Sequence, residues 1–366
     1  MAVNGLFINN VKAQDSIYES GVMVYNCLKL SEQYKLDYIE INITQRTIPL
    51  GYDFYFFNYH PGTMPWLDTA QLKQIPGLVL TMVLEILPGD PFVLCPPKHF
   101  DGYCVLDPTI RHKNPKVFAF PRPLEMVNDI QPYVEKEVPV IGTFGFATKG
   151  KGFQHVVDAV NKEFEKAIIR INIPFGNFVP DSEAYSQFLS KLCRERAKEG
   201  VEVIVTHDYM SKEQLINWCS QNTLNCFLYD RNMPGLAATT DQAIVAGRPL
   251  SVAKNDTFRH ILAYLPSYPQ WGLQQSINES LAHVKRMQED WSPVNFARRF
   301  EDMLHKLMPA QAGRSLQQGS FELPEWKSNS SQKIKNIIKK YKGVFSMRKL
   351  KQLRIVKMLL KYEEPI

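Results

Sequence analysis

A chain of 366 residues exceeds what one ordinary hydrophobic core organises, so two domains are expected. A hydrophobic share of 45% with 22% charged residues marks a globular protein, and no run of ~18 uninterrupted apolar residues offers a membrane span. The formal charge of +6 is concentrated at one end: residues 327–361 carry 12 Lys/Arg and no acid, while the chain before them is slightly acidic.

The opening MAVNGLFINN lacks the basic-then-apolar order of a secretory signal. The six cysteines (Cys27, Cys95, Cys104, Cys193, Cys219, Cys226) show no CxxC and no Cys/His zinc spacing. They read as buried free thiols in a reducing compartment, with the cytoplasm as the expected location.

In chain order, residues 5–8 are a short apolar strand, and 17–30 carry apolar residues at helical spacing behind Asp15 or Ser16 as N-cap. Strands follow at 38–41 and 54–58, the second apolar and aromatic throughout, as a strand covered on both faces should be. His60-Pro61-Gly62 breaks it, and 77–87 is another apolar strand with one acid, Glu85, inside. Strands near 103–106 and 116–120 lead to Pro121-Arg122-Pro123. Strands alternating with helices or loops predict a parallel α/β sheet.

The charged, proline-bounded stretch 129–139 has no periodicity and marks the boundary. Beyond it the pattern restarts, with strands at 140–144, 168–173, 201–206, 226–228 and 250–252. Helices are predicted at 153–164, 182–197, from Ser211 to about Cys219, and from Leu236-Ala237 to about Val245. Two more, at 278–288 and 294–308, precede a polar linker over 310–320. The expected fold class is α/β: two doubly wound Rossmann-like domains facing across a cleft, with a basic helical C-terminal tail. The expected divisions are 1–134, 135–308 and 309–366.

Several loops of the second half fall where such folds bind ligands. Gly145 to Gly152, with Thr148, Lys149 and Lys151, joins a strand to a helix. Its glycines allow close backbone approach and its lysines reach phosphate as point charges, although a solvated turn has the same composition. It is not a Walker A loop, because Gly150-Lys151 is followed by Gly152. His207-Asp208 and Tyr229-Asp230 end strands at the carboxyl edge, where ligands or simple capping would place them. In 229–260 the turn around Asn232, Pro234 and Gly235 delivers Leu236 and Ala237 to a helix start. The unpaired N–H groups there suit pyrophosphate, and an ordinary βαβ turn is the alternative.

The order IGTFGFATKGKGF, HDYMSKEQL, FLYDRN, PGLAATTDQAIVAGRPL resembles the donor half of GT-B glycosyltransferases, most closely the retaining group typified by glycogen and sucrose synthases. The resemblance spans roughly residues 3–308 and implies a nucleotide-sugar donor bound as substrate, with no tightly held cofactor. It places the acceptor side in the first domain and the approach to the donor phosphate at Gly21. Together with the loop and strand-end readings above, the expected donor contacts are Gly21, Gly145, Thr148, Lys149, Lys151, His207, Asp208, Tyr229, Asp230, Gly235, Leu236, Ala237 and Asp241.

The departures are specific. The family's two acids, spaced across the diphosphate helix, fall on Pro234 and Gln242, with Asp241 adjacent to the second. The arginine five places before the loop lysine falls on Phe146, whereas Lys151 is kept. Glycosyl transfer needs the leaving diphosphate stabilised and the oxocarbenium-like centre shielded from water. Lys151 and loop backbone would do the first, and a closing cleft the second. No Asp-x-Asp occurs, so metal-independent transfer is expected. An inverting reaction would take its base from the first domain, with His60 and Glu85 as candidates; an acid in an apolar run must be paired or functional.

The basic tail carries apolar positions (Ile334, Ile337, Ile338, Tyr341, then Met347, Leu350, Leu353, Val356, Leu360) opposite lysines. It suits a helix packed on the body or peripheral contact with an anionic membrane bearing a lipid-linked acceptor. No nucleic-acid module is recognisable, so nucleic acid is not an expected partner. Two other readings remain: a GT-B protein that binds without catalysis, and a sugar-nucleotide epimerase of similar architecture.

Overall fold

A computed structural model of the chain describes residues 3–10, 16–60, 63–64, 66–84, 100–176, 181–231, 235–311 and 317–323. Glu85, Cys95, the turn residues Asn232 and Pro234, and the basic tail lie outside them. Two parallel sheets dominate. The first orders its strands β2-β1-β4-β5-β6-β7: β1 (Val3–Asn10), β2 (Tyr34–Ile41), β4 (Phe54–Phe57), β5 (Leu78–Val83), β6 (Gly102–Val105) and β7 (Val117–Ala119). The second runs β10-β9-β8-β11-β12: β8 (Val140–Phe144), β9 (Ala167–Asn172), β10 (Val201–Thr206), β11 (Leu224–Phe227) and β12 (Leu250–Val252). Both are doubly wound, and the chain is mixed α/β as the sequence pattern predicted.

Strand order reverses between β1 and β4 in the first sheet and between β8 and β11 in the second. At such a switch point the loops diverge to opposite faces and leave a crevice beyond the carboxyl ends.

The all-apolar strands are explained by cover on both faces. Phe54 and Phe56 of β4 face one apolar layer, and Tyr55 and Phe57 the other. The first layer includes Met23, Val24 and Leu28 of α1 (Ser16–Leu28). In the second sheet, α2 (Phe153–Glu163) buries Val156, Val157 and Val160, helically spaced, and α3 (Ser182–Arg196) adds Leu189 and Cys193. The opposite face takes α4 (Lys212–Ser220), α5 (Thr239–Val245), the short α6 (Arg259–Leu262) and α7 (Leu273–Asp290). Ser211 starts α4 with a reciprocal capping box: it accepts from the Gln214 N–H while Gln214 accepts from the Ser211 N–H.

The last long helix, α8 (Pro293–Leu307), returns to the first sheet. Its Phe296, Phe300, Met303 and Leu304 pack with Phe7, Phe54 and Phe56, the Phe56 and Phe300 rings 4.9 Å apart. Where the polar stretch 310–320 ends, β13 (Ser320–Glu322) pairs antiparallel with β3 (Thr47–Pro49). Apolar Leu323 beyond it is buried beside Ile48 in the first core, and that burial draws the segment back. The irregular stretch between the two sheets is clamped rather than loose. Arg248 lies 3.4 Å over the Tyr133 ring, and the Gln131 N–H donates to Asn217.

Two polar bridges join the carboxyl ends of the sheets. Asp107, just past β6, accepts from Arg259 at 2.6 and 2.7 Å. Arg122, in the proline turn, donates to Ser20 at 3.3 Å and lies 3.2 Å from the Asp241 carboxylate. Lys212 pairs with Glu125 in the same region.

Among the described residues no helix is long and apolar enough to cross a membrane. Cys27, Cys104, Cys193, Cys219 and Cys226 are free and buried, and burial pushes the Cys27 and Cys193 thiols up to about 12.

Candidate functional site

The second sheet's switch point gathers several of the sequence candidates. Gly145, at φ 137°, turns the chain out of β8, and its N–H bonds the Asn172 carbonyl at the end of β9. The loop then folds flat across the end of β11. Gly152 holds φ 68°, and a Cβ there would fall 1.9 Å from the Leu228 carbonyl oxygen, so only glycine lets the loop lie so close. This fold-back swings Lys151 over the crevice. Its ammonium donates to the Tyr229 hydroxyl at 2.8 Å, and that hydroxyl lies 2.9 Å from the Thr239 hydroxyl at the start of α5. A Cβ on Gly145 would meet the ammonium at 3.0 Å. Backbone, lysine, phenol and threonine hydroxyl thus converge between β8 and β11.

Thr148 accepts from the Arg231 guanidinium at 3.0 Å, and Lys149 is exposed on the same loop. Asp230 closes the loop from the other side: its N–H bonds the Gly150 carbonyl, and its carboxylate meets His155 Nε2 at 3.0 Å. Gly235 and Leu236 are half-buried before α5. Ala237 is buried and its N–H is taken by the Thr257 carbonyl, so the helix proper opens two residues later than the sequence pattern predicts, at Thr239. Tyr229 is almost fully buried, its ring 4.8 Å from Phe258.

His207 and Asp208 follow β10, one strand beyond β9. His207 Nδ1 bonds the Ile173 carbonyl at 2.8 Å, and its ring stacks on Phe175 at 4.8 Å. The Asp208 backbone is held by the buried Asn172 amide, which leaves its carboxylate exposed. The next residue, Tyr209, is 81% exposed, its ring 6.4 Å from Phe146 of the glycine loop. Two apolar ring faces therefore stand at the crevice rim.

Asp241 belongs to the domain junction. Its side chain is 13% exposed beside Arg122, and burial outweighs that cation, raising its carboxyl to about 6. Gln242 and Asp241 share a small hollow with Met23, Glu125 and Lys212, so this face of α5 looks toward the first domain.

The first sheet's switch point is an amide cluster. Asn9 and Asn58, both buried, bond each other at 2.8 Å, and Asn58 also donates to the Ile17 carbonyl. Gly21 lies flush against them: a Cβ there would fall 2.3 Å from the Asn58 amide nitrogen. The structure thereby gives Gly21 a packing role at the mouth of this crevice. His60 lies just past β4, half-buried, its carbonyl accepting from the Thr63 and Met64 N–H groups.

The sequence reading missed Thr239, Arg231, Arg122 and the asparagines. Arg231 stands inside the FLYDRN run, but only the folded loop puts it beside Thr148. A separate cavity of about 400 Å³ lies on the α2 side of Tyr229, lined by His155, Asp158, Lys162 and Tyr268. The glycine-loop backbone and Lys151, which has no carboxylate in ion-pair range among the described residues, converge at the switch point and not in that cavity.

No protein-family model and no curated protein sequence matches the chain. Solved structures match its fold. A glycosyltransferase from Rickettsia africae superposes with TM-score 0.58 at 11% identity, over 84% of this chain and 99% of that one. The Anabaena protein HepE in complex with UDP gives TM-score 0.57 at 11% identity, over 83% and 100%. Sucrose-phosphate synthase from Thermosynechococcus elongatus gives 0.55 at 12%, over 84% and 100%. At these identities the likeness speaks to architecture: the chain has the GT-B fold, two Rossmann-like domains with their carboxyl edges apposed.

Proposed function

We propose that the protein is a glycosyltransferase that takes a nucleoside-diphosphate sugar as donor and passes the sugar to a glycan, lipid or protein acceptor. The observation that carries this reading is Lys151, held by Tyr229 at the second switch point with no carboxylate in ion-pair range among the described residues. A half-buried ammonium fixed without a counter-charge is pre-set for an anion, and a leaving diphosphate gains charge as the glycosidic bond breaks. The solved HepE complexes with UDP and UDP-glucose support a donor of that class.

In this reading residues 135–308 hold the donor and 1–134 present the acceptor, with α8 packed over the first sheet. Tyr209 and Phe146 flank the base. His60 is the described candidate for a proton acceptor on the first domain, and Glu85 the other. The protein acts in the cytoplasm, with the basic tail as its contact to an anionic membrane surface. Incubation with radiolabelled UDP-, GDP- and ADP-sugars tests it: the account expects release of the nucleoside diphosphate that Lys151→Ala abolishes.

A second reading, donor binding without transfer, is favoured by one observation. Asp241, the acid nearest the expected acidic position, is occupied with Arg122 at the domain junction. Nucleotide binding without turnover on any acceptor would select it. An epimerase would instead convert the free nucleotide sugar with no acceptor present.

A further inference from the structure

We propose that Arg231 is a diphosphate-binding residue, and that it and Lys151 form a cation pair around the Tyr229 ring. The inference rests on the nucleotide-sugar reading above and deepens it by assigning the second charge of the site.

Four observations converge on Arg231. It is the fourth residue beyond β11 and two past Tyr229, and it packs directly on the glycine loop. A Cβ on Gly150 would fall 2.5 Å from the Arg231 Cβ. The guanidinium carbon lies 5.5 Å from the Tyr229 ring centre, and the Lys151 ammonium 4.5 Å from the same centre. One of its nitrogens donates to Thr148 at 3.0 Å, which fixes the plane of the fork. Its Nε is buried and has no acceptor among the described residues.

A buried guanidinium N–H without an acceptor is rare in a folded protein and calls for an explanation, such as a ligand oxygen. The charges make the same demand. Neither Lys151 nor Arg231 has a carboxylate within ion-pair distance among the described residues. The neighbouring acid, Asp230, is turned to His155 at 3.0 Å. Two uncompensated cations held on one ring repel each other until an anion lies between them.

A diphosphate matches this arrangement better than a single phosphate. A guanidinium grips one phosphate through parallel N–H bonds, and a lysine meets the other as a point charge. The pairing also explains why Gly150 must be glycine, since any side chain there would push Arg231 away from Thr148 and Tyr229.

The test is calorimetric titration of the full chain with UDP, GDP and ADP and the matching monophosphates. Wild type, Arg231→Gln and Arg231→Lys are compared, with thermal melts to confirm folding. In Arg231→Gln the affinity for the best-binding diphosphate is expected to fall about ten-fold or more, the scale of a lost charge-assisted contact, and that for the monophosphate by less than about three-fold. Arg231→Lys, which keeps charge and stem, should lower the diphosphate-to-monophosphate ratio by an intermediate amount and serves if the glutamine variant does not fold. An unchanged ratio in either folded variant overturns the proposal. A wild-type protein that binds no diphosphate defeats the donor reading itself and this pairing with it, a failure visible before any substitution is made.

Discussion

The ammonium of Lys151 donates to the hydroxyl of Tyr229 at 2.8 Å, from opposite sides of the second sheet's switch point. The phenol thereby sets where the charge stands. Tyr229 is only 3% exposed, and its hydroxyl also meets Thr239, so it belongs to the core and the site at once. Tyr229→Phe should keep the ring packing, cost about 1 kcal/mol for the lost hydroxyl bonds, and weaken nucleoside-diphosphate binding about three- to ten-fold. Melting curves and calorimetry read the two effects separately. Unaltered affinity in a folded Tyr229→Phe protein would mean that the phenol does not position Lys151.

Asp241 gives the domain junction a pH dependence of unusual sign. Its carboxyl is raised from 3.8 to about 6, first by burial, with Arg122 and Lys212 pulling it back only in part. Between those values the folded state keeps a proton that the unfolded state has released. The group's contribution is therefore fully present below about 3.8 and lost as pH rises through about 6, at up to ~1.4 kcal/mol per pH unit. Asp241→Asn should remove this dependence and be as stable as wild type, or more so, at pH 7–8. Urea midpoints at pH 4.5 and 7.5 check it, and a variant clearly less stable at pH 7.5 would show the Arg122 ion pair to dominate instead.

His260 acts in the opposite direction. It is buried against Trp291, with Nε2 3.2 Å from the Thr240 hydroxyl, and burial lowers it from 6.5 to about 3. The unfolded chain takes up a proton below 6.5 that the folded chain refuses, so stability present above that pH is lost progressively toward 3. His260→Gln should flatten the fall between pH 6.5 and 4. An NMR titration showing His260 protonating near its ordinary value would refute this.

The Asp107–Arg259 pair ties the two sheets together, with side chains 2% and 19% exposed. Asp107→Asn removes the buried carboxylate paired with Arg259 and should cost about 2–4 kcal/mol, toward the lower end for a broken buried pair because Arg259 retains some solvent. A double-mutant cycle with Arg259→Gln should show strong coupling between the two positions. Additive single losses would indicate that the pair does not hold the junction.

Much of the fold was legible because it follows from periodicity. The restart at Val140, the amphipathic spacing of Val156, Val157 and Val160, and the Ser211–Gln214 cap are each set by residues within a turn or two of one another. The return of α8 to the first sheet was not, since Phe296 and Phe300 read equally well as any apolar helix face until Phe54 and Phe56 are in place. The pairing of β13 with β3 was hidden for a related reason: a three-residue ladder has no period to detect. At the site, Lys151 and the glycines could be read because a strand-to-helix loop keeps its chemistry local. Arg231, Arg122 and Thr239 depend on contacts across the fold. Asp241 was read as a donor residue, and its partner Arg122, more than a hundred residues earlier, is what ties it to the domain junction.

The measurement that bears most directly on the central claim is titration of the purified chain with UDP, GDP and ADP, repeated on Lys151→Ala. The account predicts saturable binding of at least one nucleoside diphosphate by the wild type. It predicts a loss of about ten-fold or more in the variant, the scale of one charge-assisted phosphate contact. Absence of binding to all three, or equal affinity in a folded Lys151→Ala protein, would contradict it.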